Sequence, residues 1–349
     1  MPLRSDVIQG PYFSDILDQP RALRATWNSL RDTPDLERIA DQCHPRRFER
    51  IVLTGMGSSY HGLHPLAIEI ARYGWTPVML ETSELIHSYP HLLTPSTLVV
   101  AVSQSGKSVE TVRLLEMNAG KATVIGVTNQ ADSPLGQRAN FSVLTAAGEE
   151  FTVSCKTYVA AQMALSMLAA GLCKLDLAAR LRELESSAQA VDSYLRDWTA
   201  HVDEFMGLLR EVRDLFLVGR GSSLAAVGTG ALITKESALF HAEGMSSAAF
   251  RHGPFEMLKP GVCVALFAGD ANTKTLNAGL LSDIRLASAR VLWFSADAES
   301  AACRVPQTAD LLRPIVEILP VQMITLALAA LANHEAGKFA RATKVTIVE

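Results

Sequence analysis

The sequence predicts an α/β protein built from two tandem units, each a parallel sheet with helices on both faces. Three observations predict it. Short runs of Val, Ile and Leu that are apolar throughout, rather than alternating, recur with helical patterns between them; strands buried on both faces belong to parallel sheets. The segment DLFLVGRGSS (214–223) repeats RIVLTGMGSS (50–59) at an offset of 164 residues, the mark of a duplicated unit. A chain of 349 residues, 48% apolar and 19% charged, is long enough for two ordinary domains, each with its own core.

The expected organisation is an N-terminal helical arm (1–45), a first unit (46–175), connecting helices (176–210) and a second unit (211–349). In the first unit, RIVLTG (50–55), TPVMLE (76–81), TLVVAVS (97–103), ATVIGVT (122–128) and NFSVLTA (140–146) read as strands. GLHPLAIEIARYG (62–74) and SVETVRLLEMNAG (108–120) have helical spacing, the second closed by Gly. Residues 176–210 are charged and helical, with no strand pattern. In the second unit a strand at DLFLVG is followed by a helix (225–240), then by VCVALFAG (262–269), RVLWFS (290–295) and PIVEILP (314–320) as strands. A long helix (321–340) leads to the tail ATKVTIVE. The apolar runs 158–172 and 321–332 are shorter than about 18 uninterrupted residues and carry Gln or Thr, so both are expected as core helices, with no membrane span.

Composition excludes several functions. The formal net charge of −4 offers no basic field for nucleic acid or an anionic membrane. Cys43, Cys155, Cys173, Cys263 and Cys303 are scattered and odd in number, so a reduced, cytoplasmic chain is expected, with neither a disulfide framework nor a metal site. The opening MPLRSDVIQGPYF has no signal-peptide core.

The stretch VSQSGKSVET (102–111) stands where a strand hands over to a helix. The helix end presents unpaired N–H groups and the positive end of its dipole, which favour a phosphate. Ser103, Ser105 and Ser108 add hydroxyl donors, Gln104 adds an amide, and Gly106 lets the backbone approach closely. A serine N-cap uses one such residue; three with a Gln exceed that need. The turns GMGSS (55–59) and GRGSS (219–223) carry Tyr60 and Leu224 where a dinucleotide fingerprint needs its third Gly, and no G-K-[ST] ending follows. A nucleotide cofactor is therefore not expected. Ser59 is placed to share the anion. The second unit has only AGDA after the matching strand, so two copies of the scaffold are expected to carry one anion site.

The GSS turn, SQSG, KESALFHAEGMSSAAFRHGP (235–254) and the terminal TKVTIVE, in that order, together resemble the sugar isomerase (SIS) family. The likeness is to the two-domain synthase part of glutamine–fructose-6-phosphate aminotransferase and to stand-alone amino-sugar-phosphate deaminases and phosphosugar isomerases. It covers about 45 to 349 and implies two tandem SIS-type three-layer sandwiches. It also implies a homodimer whose active site is completed across the subunit interface. By the same likeness Ser59, Ser103, Gln104, Ser105 and Ser108 match phosphate ligands. Glu236 matches the carboxylate that moves a proton between C1 and C2. His252 matches a histidine that assists ring opening, commonly from the neighbouring subunit, and Lys344 matches a near-terminal lysine able to form an imine. His241 and Glu243 fit a supporting network.

These roles are chemically coherent. One carboxylate between adjacent carbons can remove and return the proton, an imidazole titrates near neutrality, and an amine can attack an open-chain carbonyl. No metal is needed for this route. The pattern departs from the family at Ile233, where a lysine is frequent, and at Thr229, where an acid is common. Both changes remove charge near the sugar and leave room for a bulkier substituent. The loop AGEEFTVSCKTY (147–158) is one residue shorter than the family's substrate-covering segment. Read from MPLRSDV, with Pro2 where an amidotransferase begins with Cys, the sequence is expected to lack a glutaminase domain. The expected activity is isomerisation of a hexose 6-phosphate or deamination of a hexosamine 6-phosphate. A fructosamine-6-phosphate-type deglycase and a non-catalytic sugar-phosphate sensor are the alternatives.

Overall fold

A computed structural model describes residues 7–339, 341, 343 and 344. Val345–Glu349, the end of the TKVTIVE motif, and residues 1–6 of the arm lie outside the described residues. The chain divides into two compact units. The first comprises Pro20–Glu149 and Lys156–Ala188, together with the tail from Thr343; the second comprises the described part of Met1–Gln19, Glu150–Cys155 and Gln189–Ala342. The arm is thus shared between units, and the helix Leu177–Arg196 crosses the second boundary.

The first unit holds five parallel strands, β1 (Arg50–Gly55), β2 (Pro77–Glu81), β3 (Thr97–Val102), β4 (Thr123–Thr128) and β5 (Phe141–Leu144). Their order is β2-β1-β3-β4-β5. The central β3 is buried along its whole length. Val52, Val99, Ala101 and Val124 pack on one face against Leu85, Leu114, Leu115 and Leu135. Ile51, Leu53, Leu98, Val100 and Ile125, all fully buried, alternate with them toward the other face. Burial of each such side chain contributes about 1.5–3 kcal/mol, which is why uninterrupted apolar runs, not alternating ones, mark these strands.

The second unit repeats the topology with four parallel strands, β6 (Asp214–Gly219), β7 (Ala242–Ser246), β8 (Val262–Phe267) and β9 (Arg290–Phe294), in the order β7-β6-β8-β9. Two sequence expectations need correction. Residues 314–320, read as a strand, form the first half of the helix Arg313–Leu331. The β-branched run between two prolines suggested a strand, but Pro314 occupies the first helical turn, where its missing N–H costs nothing. The strand β7, AEGMS, escaped notice because Gly and Glu weaken its pattern. The apolar stretch ending in that long helix, Asp310–Leu331, is therefore long enough to cross a membrane, with a mean hydropathy of 1.9. However, 94% of its window is buried inside the protein, as in a core helix. All five cysteines are free, and all but Cys173 are buried.

Candidate active site

The strand order decides where a ligand can sit. After β1 the chain crosses outward to β2 and after β3 it crosses the other way to β4, so the turns leaving β1 and β3 flank a crevice at the carboxyl edge. Gly55, the last residue of β1, pairs in register with Val102, the last of β3. A Cβ on Gly55 would stand 3.0 Å from Ser59 Cβ and 3.0 Å from the Val102 carbonyl oxygen. Only a glycine lets the GSS turn close against the start of the serine loop.

Within that loop the main chain is strapped to β4 and the turn behind it. Ser103 N–H donates to Val127 O (3.0 Å), Asn129 N–H to Gln104 O (3.1 Å) and Leu135 N–H to Gly106 O (3.1 Å). Gly106 has φ +62°, and a side chain there would meet Ser133 Oγ at 2.1 Å. Two serine oxygens are used internally as acceptors: Ser103 Oγ from Gly106 N–H (3.1 Å) and Ser105 Oγ from Lys107 N–H (3.3 Å). Each hydroxyl keeps its own proton to donate. Ser108 stands at the N-cap of Val109–Asn118 without a side-chain cap bond; its Oγ lies 2.8 Å from Thr111 Oγ1. The first-turn amides of a ten-residue helix are thereby left to an external acceptor. The structure brings Ser59, Ser103, Gln104, Ser105 and Ser108 to one edge of the first unit.

The second unit has the same six-residue spacing between strand and helix, 268–273 against 103–108, but fills it from within. Ser223, the repeat counterpart of Ser59, is fully buried and donates from Oγ to Glu317 Oε1 (2.9 Å). Asp270 Oδ1 accepts from Thr273 N–H (2.9 Å) and Thr273 Oγ1 (2.7 Å), where the first unit has serines. Asn277 donates to the Phe267 and Ala268 carbonyls and accepts from Arg220 Nε and Ser247 Oγ. The chain's own acids and amide occupy the turns that an anion would need. Burial pushes the Glu317 carboxyl up to about 7, against the opposing pull of Arg313 and the Ser223 hydrogen bond.

The remaining expected site residues are distributed. Glu236 is half-buried in the last turn of the helix Leu224–Ala238, which runs back from the carboxyl edge toward the start of β7. His252 is exposed and follows Ser247–Arg251, beyond the other end of β7. Topology thus puts Glu236 and His252 at opposite ends of one strand, not beside each other. Lys344 is half-buried and groups with the first unit. His241 Nδ1 faces Asp214 at 3.3 Å at the amino edge of the second sheet, away from its carboxyl ends. Ile233 and Thr229 are both fully buried. Among the described residues, one set of three potential metal ligands comes together: Asp15, Glu150 and Cys155, all buried, with ligand atoms within 4.8 Å of one another. Glu150 Oε1 accepts from Cys155 N–H (2.9 Å). No sequence spacing could reveal a group drawn from such distant positions.

These features meet those of known proteins. Residues 46–171 match the family described as SIS domain. The isomerizing glutamine–fructose-6-phosphate aminotransferase of Pyrococcus horikoshii is 31% identical over 96% of this chain. The chain spans 57% of the length of that relative, and similarly little more than half of others of the same name. The crystal structure of glucosamine-6-phosphate deaminase from Thermotoga maritima superposes with a TM-score of 0.80 at 17% identity, covering 97% of this chain and all of the other. That of tagatose-6-phosphate ketose/aldose isomerase from Escherichia coli gives 0.77 at 18% identity, covering 98% of each. At these identities the two structures establish a shared fold.

Gly106→Ala is expected to force the serine loop off Ser133 and Thr128 and to destabilise the native state by about 1–3 kcal/mol, measured by urea unfolding, because both φ and the contact oppose a side chain. Glu317→Gln tests the buried acid. Below about 4.5, its unperturbed value, folded and unfolded chains both hold the proton. Between there and about 7 only the unfolded chain ionises, so native stability falls as pH rises, by about 1.4 kcal/mol per pH unit. Above about 7 the slope ends. Urea midpoints of the Gln variant should match the parent at pH 4 and exceed it at pH 8; a constant difference at both would refute the assignment.

Proposed function

We propose that this protein binds a hexose 6-phosphate or hexosamine 6-phosphate and moves a proton between C1 and C2, as a phosphosugar isomerase or amino-sugar-phosphate deaminase. The serine loop carries this reading. Three hydroxyls, one carboxamide and an uncapped helix end converge at the switch point of a parallel sheet. Such a set of donors suits a dianionic phosphate held by hydrogen bonds and dipole.

With the phosphate held there, the sugar reacts as an open chain. A carboxylate removes the C2 proton of the aldose, leaving an enediol, and returns it to C1 to give the ketose. Glu236 takes this role: it is half-buried, where a carboxyl can work away from bulk water, and it lies near a helix end. With a 2-amino sugar the same transfer gives a ketimine, and water adds to release ammonia and the ketose. His252 assists ring opening, and Lys344 stands by the open carbonyl as amine or electrostatic partner. Because Glu236 and His252 lie at opposite ends of β7, a complete site takes its imidazole from a second copy of the chain, which makes the working form a dimer.

Glu236→Gln should abolish both ammonia release from glucosamine 6-phosphate and ketose–aldose exchange of fructose 6-phosphate, while leaving phosphosugar-induced thermal stabilisation intact. Near-full turnover would assign the proton transfer elsewhere. A parent protein stabilised by these sugars yet silent in every turnover assay would instead be a sensor. Separately inactive Glu236→Gln and His252→Ala chains, mixed and refolded, should recover roughly a quarter of parent activity, since half the dimers are mixed and each of those has one intact site. Absence of recovery would place both residues in the same subunit's site.

A further inference from the structure

We propose that Tyr12, on the amino-terminal helix Pro11–Leu17, is a positioning residue for Glu236, fixing the helix end that carries the carboxylate. The proposal rests on the reading of Glu236 as the proton carrier, and the residue acts through its neighbours, not on substrate.

The helix Leu224–Ala238 stops one residue after Ser237 and gives way to Leu239 in the left-handed region, φ +51°. A helix end of this kind leaves carbonyls without intrahelical partners, and it frays unless other elements hold it. Here a chain of contacts holds it, all within the second unit. The Ser237 carbonyl accepts from Gly337 N–H at 3.0 Å, while the Ser237 hydroxyl turns back to its own helix and donates to Ile233 O. The Tyr12 hydroxyl lies 3.2 Å from Thr325 Oγ1, on the long core helix Arg313–Leu331. Gly337 in turn sits on the tyrosine: with φ +75°, a Cβ there would fall 2.5 Å from Tyr12 Cβ. The buried tyrosine therefore braces the Gly337 segment that caps Ser237 and ties it to the core helix.

Two further facts separate this from ordinary core packing. Tyr12 has no exposed surface, and a buried tyrosine hydroxyl is placed where it has partners to satisfy. Its phenol is held far above its usual pKa, first by burial and then by the Cys155 thiol, with the Glu236 carboxylate adding to the effect. The phenol thus stays neutral at any working pH, close enough to Glu236 to feel its charge. It supplies an oriented dipole and a fixed distance, not a proton. A displacement of about 1 Å in a reacting group can cost as much as 100-fold in rate, so loosening this helix end should appear in turnover before it appears in binding.

The test uses Tyr12→Phe in the full chain, which keeps the ring and removes only the hydroxyl. With glucosamine 6-phosphate and fructose 6-phosphate as substrates, kcat should fall about tenfold with KM changed less than about twofold. Amide hydrogen exchange should quicken at residues 234–239 while β6 stays protected; this readout needs no turnover. Thr325→Ser, which keeps a hydroxyl for the phenol, should retain parental kcat. An unchanged kcat with unchanged exchange overturns the proposal. So does a loss of activity accompanied by equal loss of protection across the whole sheet, which would make Tyr12 a purely structural residue. Should Tyr12→Phe fail to fold, Thr325→Val removes the partner of the phenol, and parental kcat and exchange in that variant would be equally fatal. A fully active Glu236→Gln would remove the catalytic premise alone, and the exchange result would still report whether Tyr12 holds the helix end.

Discussion

The controlling constraint is the reversal of strand order at the carboxyl edge of a parallel sheet. Where one chain crossing leaves to the left and the next to the right, no connection covers the edge, and two turns face each other across a gap. In the first unit those turns leave β1 and β3, which end in register at Gly55 and Val102. Everything that can grip an anion follows from this: the glycine that lets the turns touch, the serines whose oxygens brace the loop while their protons remain free to donate, and the helix whose first amides no side chain caps.

The second unit shows what becomes of the same geometry when the ligand is built in. Its turn keeps the GSS sequence and its loop keeps six residues, yet Glu317 takes the hydroxyl of Ser223, Asp270 takes the helix end, and Asn277 closes the strand ends. A fully buried carboxyl is held partly by staying protonated, which is why burial raises Glu317 even against the pull of Arg313. Replacing an external anion by internal acids and an amide turns a binding edge into a core. The duplicated scaffold is then free to contribute function elsewhere, at the end of a helix and beyond the end of a strand.

That division explains the distribution of the candidate catalytic groups. Glu236 and His252 are sixteen residues apart in sequence, close enough to suggest one cluster. The strand β7 and the short helix Ser247–Arg251 lie between them and separate the two. Proximity in sequence is not proximity in space when a β-strand intervenes. The order of the Glu236 helix end is then a matter of its supports, of which Tyr12 reaches furthest along the sequence.

Much was legible beforehand because it is local. Strands such as TLVVAV declare themselves by composition, the serine-rich turn exceeds any capping need, and the repeat of RIVLTGMGSS announces the second unit. PIVEILP and AEGMS were misjudged because both are short: a β-branched run flanked by prolines mimics a strand, and a strand containing Gly and Glu does not look like one. Glu317, Tyr12 and the Asp15–Glu150–Cys155 group lie in no pattern at all. The sequence alone determined the sheet-forming segments, the duplication and the serine-rich turn that is the candidate anion site, because those depend on the periodicity and chemistry of neighbouring residues. Only the tertiary structure decided which turn stays open, which acid is buried and what holds Glu236, because those depend on contacts such as 223 with 317 and 12 with 325, which form when separate segments compete for the same space.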